Sequence, residues 1–248
     1  MGKKILLIAV VCAFFLASCA GRGVQPSAGQ ARDFDGSVRQ GTALMERGDF
    51  GRAAGEFRAA LAFRQDSFRT HNLLGLCYLY QKEYDRAREE FGKSVALEPT
   101  FAKAYNNLAA VYSIKTQYDK AEQSYKKALE LSPNMVAANY SLGLLLTNLG
   151  RGEEGSVYIS RGVALDPEFL EKNKDSTLTF SSQSFDSKEM YFACARAYAA
   201  AGNLEKTVDY LTKARKSGFT QWQRILTEKE FEKLREEPEV KAFLKTEE

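Results

Sequence analysis

SVALEPTFAKAYNNLAAVYSIKTQYDKAEQSYKKALELSP, residues 94–133, contains a phrase and its echo. It closes on Pro133, 34 residues after Pro99, and the phrase GVALDP puts a third proline, Pro167, another 34 residues along. A fixed period of this size marks a supersecondary unit that stacks on copies of itself. Counted from Phe34, the period cuts the chain into four consecutive units, 34–67, 68–101, 102–135 and 136–169.

The spacing inside each unit has a physical reading. Leu74 and Tyr78, like Leu108 and Tyr112, stand four residues apart, so the first half of each unit predicts a helix with one apolar face. Small residues at Gly75, Ala109 and Gly143 let that helix approach a partner closely, and Ala53, Ala87 and Ala121 do the same from the second half. The stretches RGDF, KEYD, TQYD and LGRG between the halves read as short turns. A single helix pair cannot bury its apolar face alone, so the units must stack into one continuous core.

Leu74, Gly75, Tyr78, Ala87 and Phe91 in the second unit resemble the tetratricopeptide repeat, as do Tyr105, Leu108, Ala109, Tyr112, Ala121, Tyr125, Ala128 and Pro133 in the third. The resemblance implies an all-α fold, a right-handed superhelical solenoid of stacked helix pairs with a concave groove lined by the first helices. The first unit departs from the pattern at Gln40 and Gln65, as a terminal unit can. The fourth has Gly155 for the packing alanine and Gly152 for the turn aromatic, which predicts a slightly loose second helix. Residues 170–187 break the register with a polar, serine-rich insertion, read as a plain excursion. Tyr191, Cys194, Ala195, Tyr198, Gly202, Leu211 and Ala214 then mark a fifth unit over 188–219. Residues 220–248 resemble the closing segment of such arrays, amphipathic helices that cover the last apolar face, with the sole tryptophan, Trp222, packed in that cap.

Upstream of the repeats, Lys3 and Lys4 precede twelve apolar residues, 5–16, and then Ala17 and Ser18. A positive start, a short apolar core and small residues at the exit describe a secretory signal peptide over 1–18. At about 1.5 Å per residue the apolar run covers only about 18 Å, well short of a bilayer's roughly 30 Å. Leu16-Ala17-Ser18-Cys19 resembles the lipobox of bacterial lipoproteins. That resemblance implies cleavage before Cys19 and a covalent diacylglyceryl and N-acyl lipid on it. An ordinary signal peptide with an incidental cysteine, or a signal anchor, are the alternatives. Residues 19–33 come next as the lipidated cysteine and a flexible tether.

Composition narrows the function. Without Lys3 and Lys4 the chain carries 33 basic and 32 acidic side chains, so it has no global basic field to hold nucleic acid. His71 is the only histidine. No CxxC or HExxH metal spacing and no GxxxxGK[ST] phosphate loop occurs, so catalytic and metal residues are expected to be none, and the chain is read as not an enzyme. Cys77 and Cys194 fall three units apart, too far for a disulfide in a solenoid whose units touch only their neighbours.

In tetratricopeptide arrays the groove is lined by places 2, 5, 9, 12 and 13 of each unit. Carried onto this chain, those places include Arg69, Asn72, Leu76 and Tyr80, then Lys103, Asn106 and Ala110, then Tyr140, Leu144 and Asn148. Lys103 and Asn107 resemble part of a clamp for a terminal carboxylate, but Leu76 and Ala137 stand where other clamp residues belong. The resemblance to repeat-bearing lipoproteins implies a lipid-anchored, periplasm-facing scaffold that takes a protein or peptide in its groove, assisting assembly of an envelope complex such as a pilus or secretion machine. The expected place is the outer membrane, or the outer face of the plasma membrane in a single-membrane cell. The other reading is a glycan or exported-polysaccharide binder, with Tyr80, Tyr140 and Phe192 as stacking platforms.

Overall fold

A computed structural model describes residues 33–172 and 187–247. The signal peptide, Cys19, nearly all of the tether and residues 173–186 of the insertion lie outside the described residues. The described residues are all helix and turn, with no strand among them. Four helix pairs succeed one another at the predicted period: α1 (Phe34–Glu46) with α2 (Phe50–Phe63), α3 (Phe68–Tyr80) with α4 (Tyr84–Leu97), α5 (Ala102–Ile114) with α6 (Tyr118–Leu131), and α7 (Val136–Asn148) with α8 (Gly152–Leu165). A single helical turn, α9 (Phe169–Lys172), opens the insertion. The fifth pair is α10 (Ser187–Ala200) with α11 (Leu204–Lys216). No helix among the described residues is long and apolar enough to cross a membrane.

The turn inside each pair is the same object five times over. Place 15 of every unit has a positive φ: Gly48 at 77°, Lys82 at 62°, Thr116 at 56°, Gly150 at 77° and Gly202 at 72°. One residue later an N–H returns to the carbonyl of place 11, as in Asp49 N to Leu44 O at 2.9 Å and Gln117 N to Tyr112 O at 2.9 Å. This is the Schellman closure of a helix, which satisfies carbonyls the helix end leaves open. Glycine takes the left-handed conformation without strain, whereas the β-branched Thr116 does not.

Between the helices of a pair the predicted small residues are needed. A Cβ on Gly75 would meet the Phe91 ring at 2.6 Å. The fourth unit corrects the expectation of a loose second helix. A Cβ on Gly155 would lie 2.6 Å from the carbonyl of Gly143 and 2.6 Å from Thr147 Oγ1, so α7 and α8 touch backbone to backbone. At Gly162 the missing Cβ is replaced by the ring of Tyr140, 2.9 Å from where it would stand. The glycines of this unit are therefore closer packing, not lost packing.

The apolar interior falls into three clusters. One joins the first two units around Phe57, Leu74, Tyr78 and Phe91. A second joins the third and fourth around Tyr125, Leu142, Leu145 and Leu146. The third runs from Tyr140 and Ile159 through the fifth unit into the C-terminal segment. That segment differs from the expected amphipathic helices. It is a chain of short turns: α12 (Arg224–Thr227), a 3₁₀ turn at Lys229–Phe231, α13 (Pro238–Lys241) and a closing 3₁₀ turn. Its apolar residues Phe219, Trp222, Ile225, Phe231, Leu234, Val240 and Phe243 are all buried, and every interval between them is a multiple of three, the spacing of tight turns rather than of a long α-helix. Trp222 packs edge-on against Phe219, with centroids 4.9 Å apart, and lies 5.4 Å from Phe243.

Candidate functional site

The inner helices of the second and third units carry a row of amides. The N-terminus of α3 is fixed by Ser67, whose Oγ accepts from Thr70 N at 3.4 Å and lies 2.8 Å from Thr70 Oγ1. This places Asn72 against the next inner helix, where Asn107 Nδ2 donates to Asn72 Oδ1 at 2.9 Å. Asn106 Nδ2 in turn donates to Asn107 Oδ1 at 3.3 Å. All three amides are buried, and Asn106 Oδ1 accepts no hydrogen bond. An unpaired buried acceptor costs on the order of 1–3 kcal/mol, and because Asn106 Oδ1 is shielded from solvent, a ligand's donor meets it only once the Asn106 side chain turns outward. Exposed Arg69 and Lys103 flank the row at the starts of the two helices, with the Arg69 guanidinium 4.5 Å over the Phe68 ring. Together these residues can hydrogen-bond the backbone and the acidic groups of a bound chain.

Other sequence candidates fall elsewhere. Tyr80 is half-buried and stacked on Phe50, centroids 4.4 Å apart and planes 9° apart, so one ring face is taken. Tyr140 is a correction to the groove set. Its side chain is fully buried, its ring stacks on Phe169 at 5.3 Å, and its hydroxyl donates to Asp166 O at 3.2 Å. The open space over Gly162 draws the ring into the interior, and burial pushes its phenol well above the usual range. Phe192 is also fully buried, stacked on Phe219 at 4.2 Å. Tyr140 and Phe192 offer no ring face to a sugar, and Tyr80 keeps one. Asn148 is half-buried at the last residue of α7.

His71 is a buried contact across the boundary between the first two units. Its Nδ1 lies 2.6 Å from Glu90 Oε2 and its Nε2 lies 2.9 Å from Gln65 O. Both ring nitrogens face acceptors, and Lys93 Nζ holds the other Glu90 oxygen at 2.8 Å. The group replaces the proline missing at place 32 of the first unit by tying that backbone carbonyl down. Cys77 and Cys194 are free and buried in α3 and α10, and burial pushes each thiol up to about 12. Neither is a reactive thiolate at neutral pH. Among the described residues no group of three or more His, Cys, Asp or Glu side chains could hold a metal ion.

Sequence reasoning missed one site-like constellation, at the fifth unit. Arg196 is buried, with 2 % of its surface exposed. Its Nη2 donates to Glu230 Oε1 at 2.7 Å and reaches Glu153 Oε1 at 3.5 Å. Its Nε lies 2.6 Å from Glu228 Oε2, an ion pair too bent for a hydrogen bond. Burial raises the Glu228 carboxyl; burial is also the largest single influence on Glu230, but the Arg196 hydrogen bond, a backbone hydrogen bond and the charges of Arg196 and Arg224 together outweigh it and hold Glu230 below the ordinary range. Place 9 of a fifth unit beginning at residue 188 is the signal that could have found Arg196.

Likeness to known proteins bears on the fold. Models of the tetratricopeptide repeat match residues 38–112 and 102–135. Among solved structures, the MamA protein aligns with a TM-score of 0.52 at 20 % identity, covering 79 % of this chain and 95 % of that one. MamA from Desulfovibrio magneticus aligns at 0.53 and 17 % identity, covering 74 % and 94 %. YrrB, a tetratricopeptide-repeat protein with an unusual peptide-binding site, aligns at 0.50 and 19 % identity, covering 74 % and 85 %. No curated protein matches over its sequence. Residues 38–135 carry tetratricopeptide repeats, and the fold is the solenoid that such repeats build.

Proposed function

We propose that this tetratricopeptide-repeat chain is a non-catalytic scaffold that holds a protein or peptide partner across the inner helices of its second and third units. The observation that carries the reading is the row Asn72–Asn107–Asn106, buried yet ending in an unpaired acceptor, with Arg69 and Lys103 at its edge. An amide row of this kind recognises backbone, which every peptide has, while the flanking cations select acidic sequence. That YrrB has a peptide-binding site supports the reading by analogy of fold.

The scaffold is tethered. Cys19 carries diacylglyceryl and N-acyl lipid after cleavage of the leader, and the chain faces the periplasm from the outer membrane, or lies on the outer face of the plasma membrane in a single-membrane cell. More than one acyl chain is needed for stable anchoring, and this modification supplies that. The partner belongs to an envelope assembly such as a pilus or secretion machine. The glycan reading is left with the one uncovered face of Tyr80, since Tyr140 and Phe192 are fully buried.

Two measurements test this. Affinity capture from solubilised membranes is compared between the wild type and the Asn72→Ala/Asn106→Ala variant, with loss of the main partners expected; identical recovery would refute the groove. Fractionation of Cys19→Ser should move the protein from the membrane to the soluble fraction or leave it unprocessed, and a membrane-bound, processed variant would refute the anchor.

A further inference from the structure

The inner face of the fifth unit is filled by the chain itself. Numbered from residue 188, groove places 2, 5, 9 and 13 are Glu189, Phe192, Arg196 and Ala200. Each meets the C-terminal segment. Arg224 Nη1 donates to Glu189 Oε2 at 3.0 Å, and the same guanidinium lies 4.5 Å over the Phe192 ring. Phe192 stacks on Phe219 at 4.2 Å and has the tilted ring of Phe231 at 5.6 Å. Arg196 takes Glu230 at 2.7 Å and Glu228 at 2.6 Å. Lys233 Nζ donates to the carbonyl of Ala200 at 3.3 Å.

The register of these contacts is that of a peptide ligand. Glu228 and Glu230 are two apart and reach one cation, and Phe231, the next residue, enters the apolar slot beside it. The segment is irregular, so it is held by side chains more than by helix formation. Beside Arg196 a cleft of about 650 Å³ remains open, lined by Glu153, Ala200, Glu230 and Lys233 among others. The cleft borders the residues that cover the guanidinium, which is itself only 2 % exposed, so an incoming chain must displace the resident carboxylates to reach it. A buried arginine without its carboxylates would be strongly unfavourable, so this face demands an acidic occupant.

We infer that the inner face of the fifth unit is a second peptide site, selective for an acidic segment of the form Glu-x-Glu-Phe, and that residues 219–235 are its resident occupant. It is a site distinct from the amide row of the second and third units: it depends on Arg196, and not on Asn72 or Asn106. A partner carrying the same pattern competes with the resident segment, which has the advantage of being tethered. A short tether holds its ligand at an effective concentration of roughly millimolar, so the site is closed to weak competitors.

The test uses the full chain and a fluorescent peptide with the sequence of residues 219–248, read by anisotropy. A variant whose own segment is disabled, Glu228→Gln/Glu230→Gln/Phe231→Ala, should bind the peptide at least about tenfold more tightly than the wild type, as the lost tethered competitor predicts. Adding Arg196→Ala should remove that gain, while adding Asn72→Ala/Asn106→Ala should leave it. No gain over wild type, or a gain that survives Arg196→Ala, overturns the inference. Because the disabled variant could lose its fold, a second form keeps every native side chain: a protease site inserted at Gly218 and cut after folding. The freed fragment should stay bound through gel filtration and exchange with the labelled peptide. A fragment that falls away, or one that stays without exchanging, overturns the inference as well.

Discussion

The inner faces of the third and fifth units occupy the same places in the same helix pair, yet one presents buried amides with an acceptor to spare and the other is filled. At place 5 the third unit has Asn106 and the fifth has Phe192; at place 9 they have Ala110 and Arg196. The difference begins at the end of the second helix. In the first four units that helix leaves through an extended residue, Arg64, Glu98, Ser132 or Asp166, with φ between −138° and −150°. In the fifth it ends at Gly218, φ 86°, with Phe219 N donating to Ala214 O at 3.0 Å. The extended exit carries the chain forward to another unit, and the left-handed exit sends it back over α10. The exit from a helix pair therefore decides whether the chain goes on to a further unit or folds back over its own inner helix.

Substitutions at the filled face should have the largest effects. Phe231→Ala, at a fully buried ring, should cost about 3–5 kcal/mol by loss of transfer energy and formation of a cavity. The loss should be confined to the C-terminal end. Trp222 fluorescence reports that end and far-UV circular dichroism reports the whole array, so in urea the fluorescence transition should move to lower denaturant well ahead of the other. Coincident shifts would show that the two regions unfold as one body. Arg196→Ala should come next with roughly 3 kcal/mol, because it strands two partly buried carboxylates, and Arg196→Met should cost less only if Glu228 and Glu230 are neutralised with it.

Smaller effects test the contrast from the side of the array. Thr116→Gly should stabilise by about 1 kcal/mol by relieving a β-branched residue of its positive φ, seen as a higher melting temperature by circular dichroism with Trp222 fluorescence unchanged. The smallest effect is that of pH. Glu122, between Arg151 Nη1 at 2.6 Å and Lys126 at 2.7 Å, is held below the ordinary carboxylate range, chiefly by its Arg151 hydrogen bond. A carboxyl depressed in the folded state adds stability above its unfolded value near 4.5, and loses it as pH falls through the lower folded value. The join between the third and fourth units should accordingly weaken below about pH 4.5 by under about 1 kcal/mol, and Glu122→Gln should flatten that dependence in melts taken across pH.

Much of this molecule is legible from its residues. The 34-residue recurrence of Pro99, Pro133 and Pro167 gives the helix pairs and their turns, because backbone geometry at those places depends on local sequence. The fourth unit is harder to read. Gly155 signals lost packing until Gly143 is known to lie against it, and that approach is a tertiary fact. Tyr140 stands at a groove place by register, yet the space above Gly162 and the carbonyl of Asp166 draw it inward. Register alone picks out the amides Asn72 and Asn106; their link through Asn107 depends on the distance between two inner helices. Gly218 is a helix-stop signal that sequence does show, but where the chain goes afterwards is set by Phe192 and Arg196, which only the folded unit brings together.

A stack of identical units has no inherent number, since each added pair presents the same surface to the next. Here the succession of described units ends where Gly218 turns the chain back and Phe192 and Arg196 hold it there. With Gly218 in the left-handed region the elongation has a terminator, and the sequence beyond it no longer needs to look like a repeat. An extended exit at that place would have to lift Phe219, Trp222 and Phe231 out of the interior they complete.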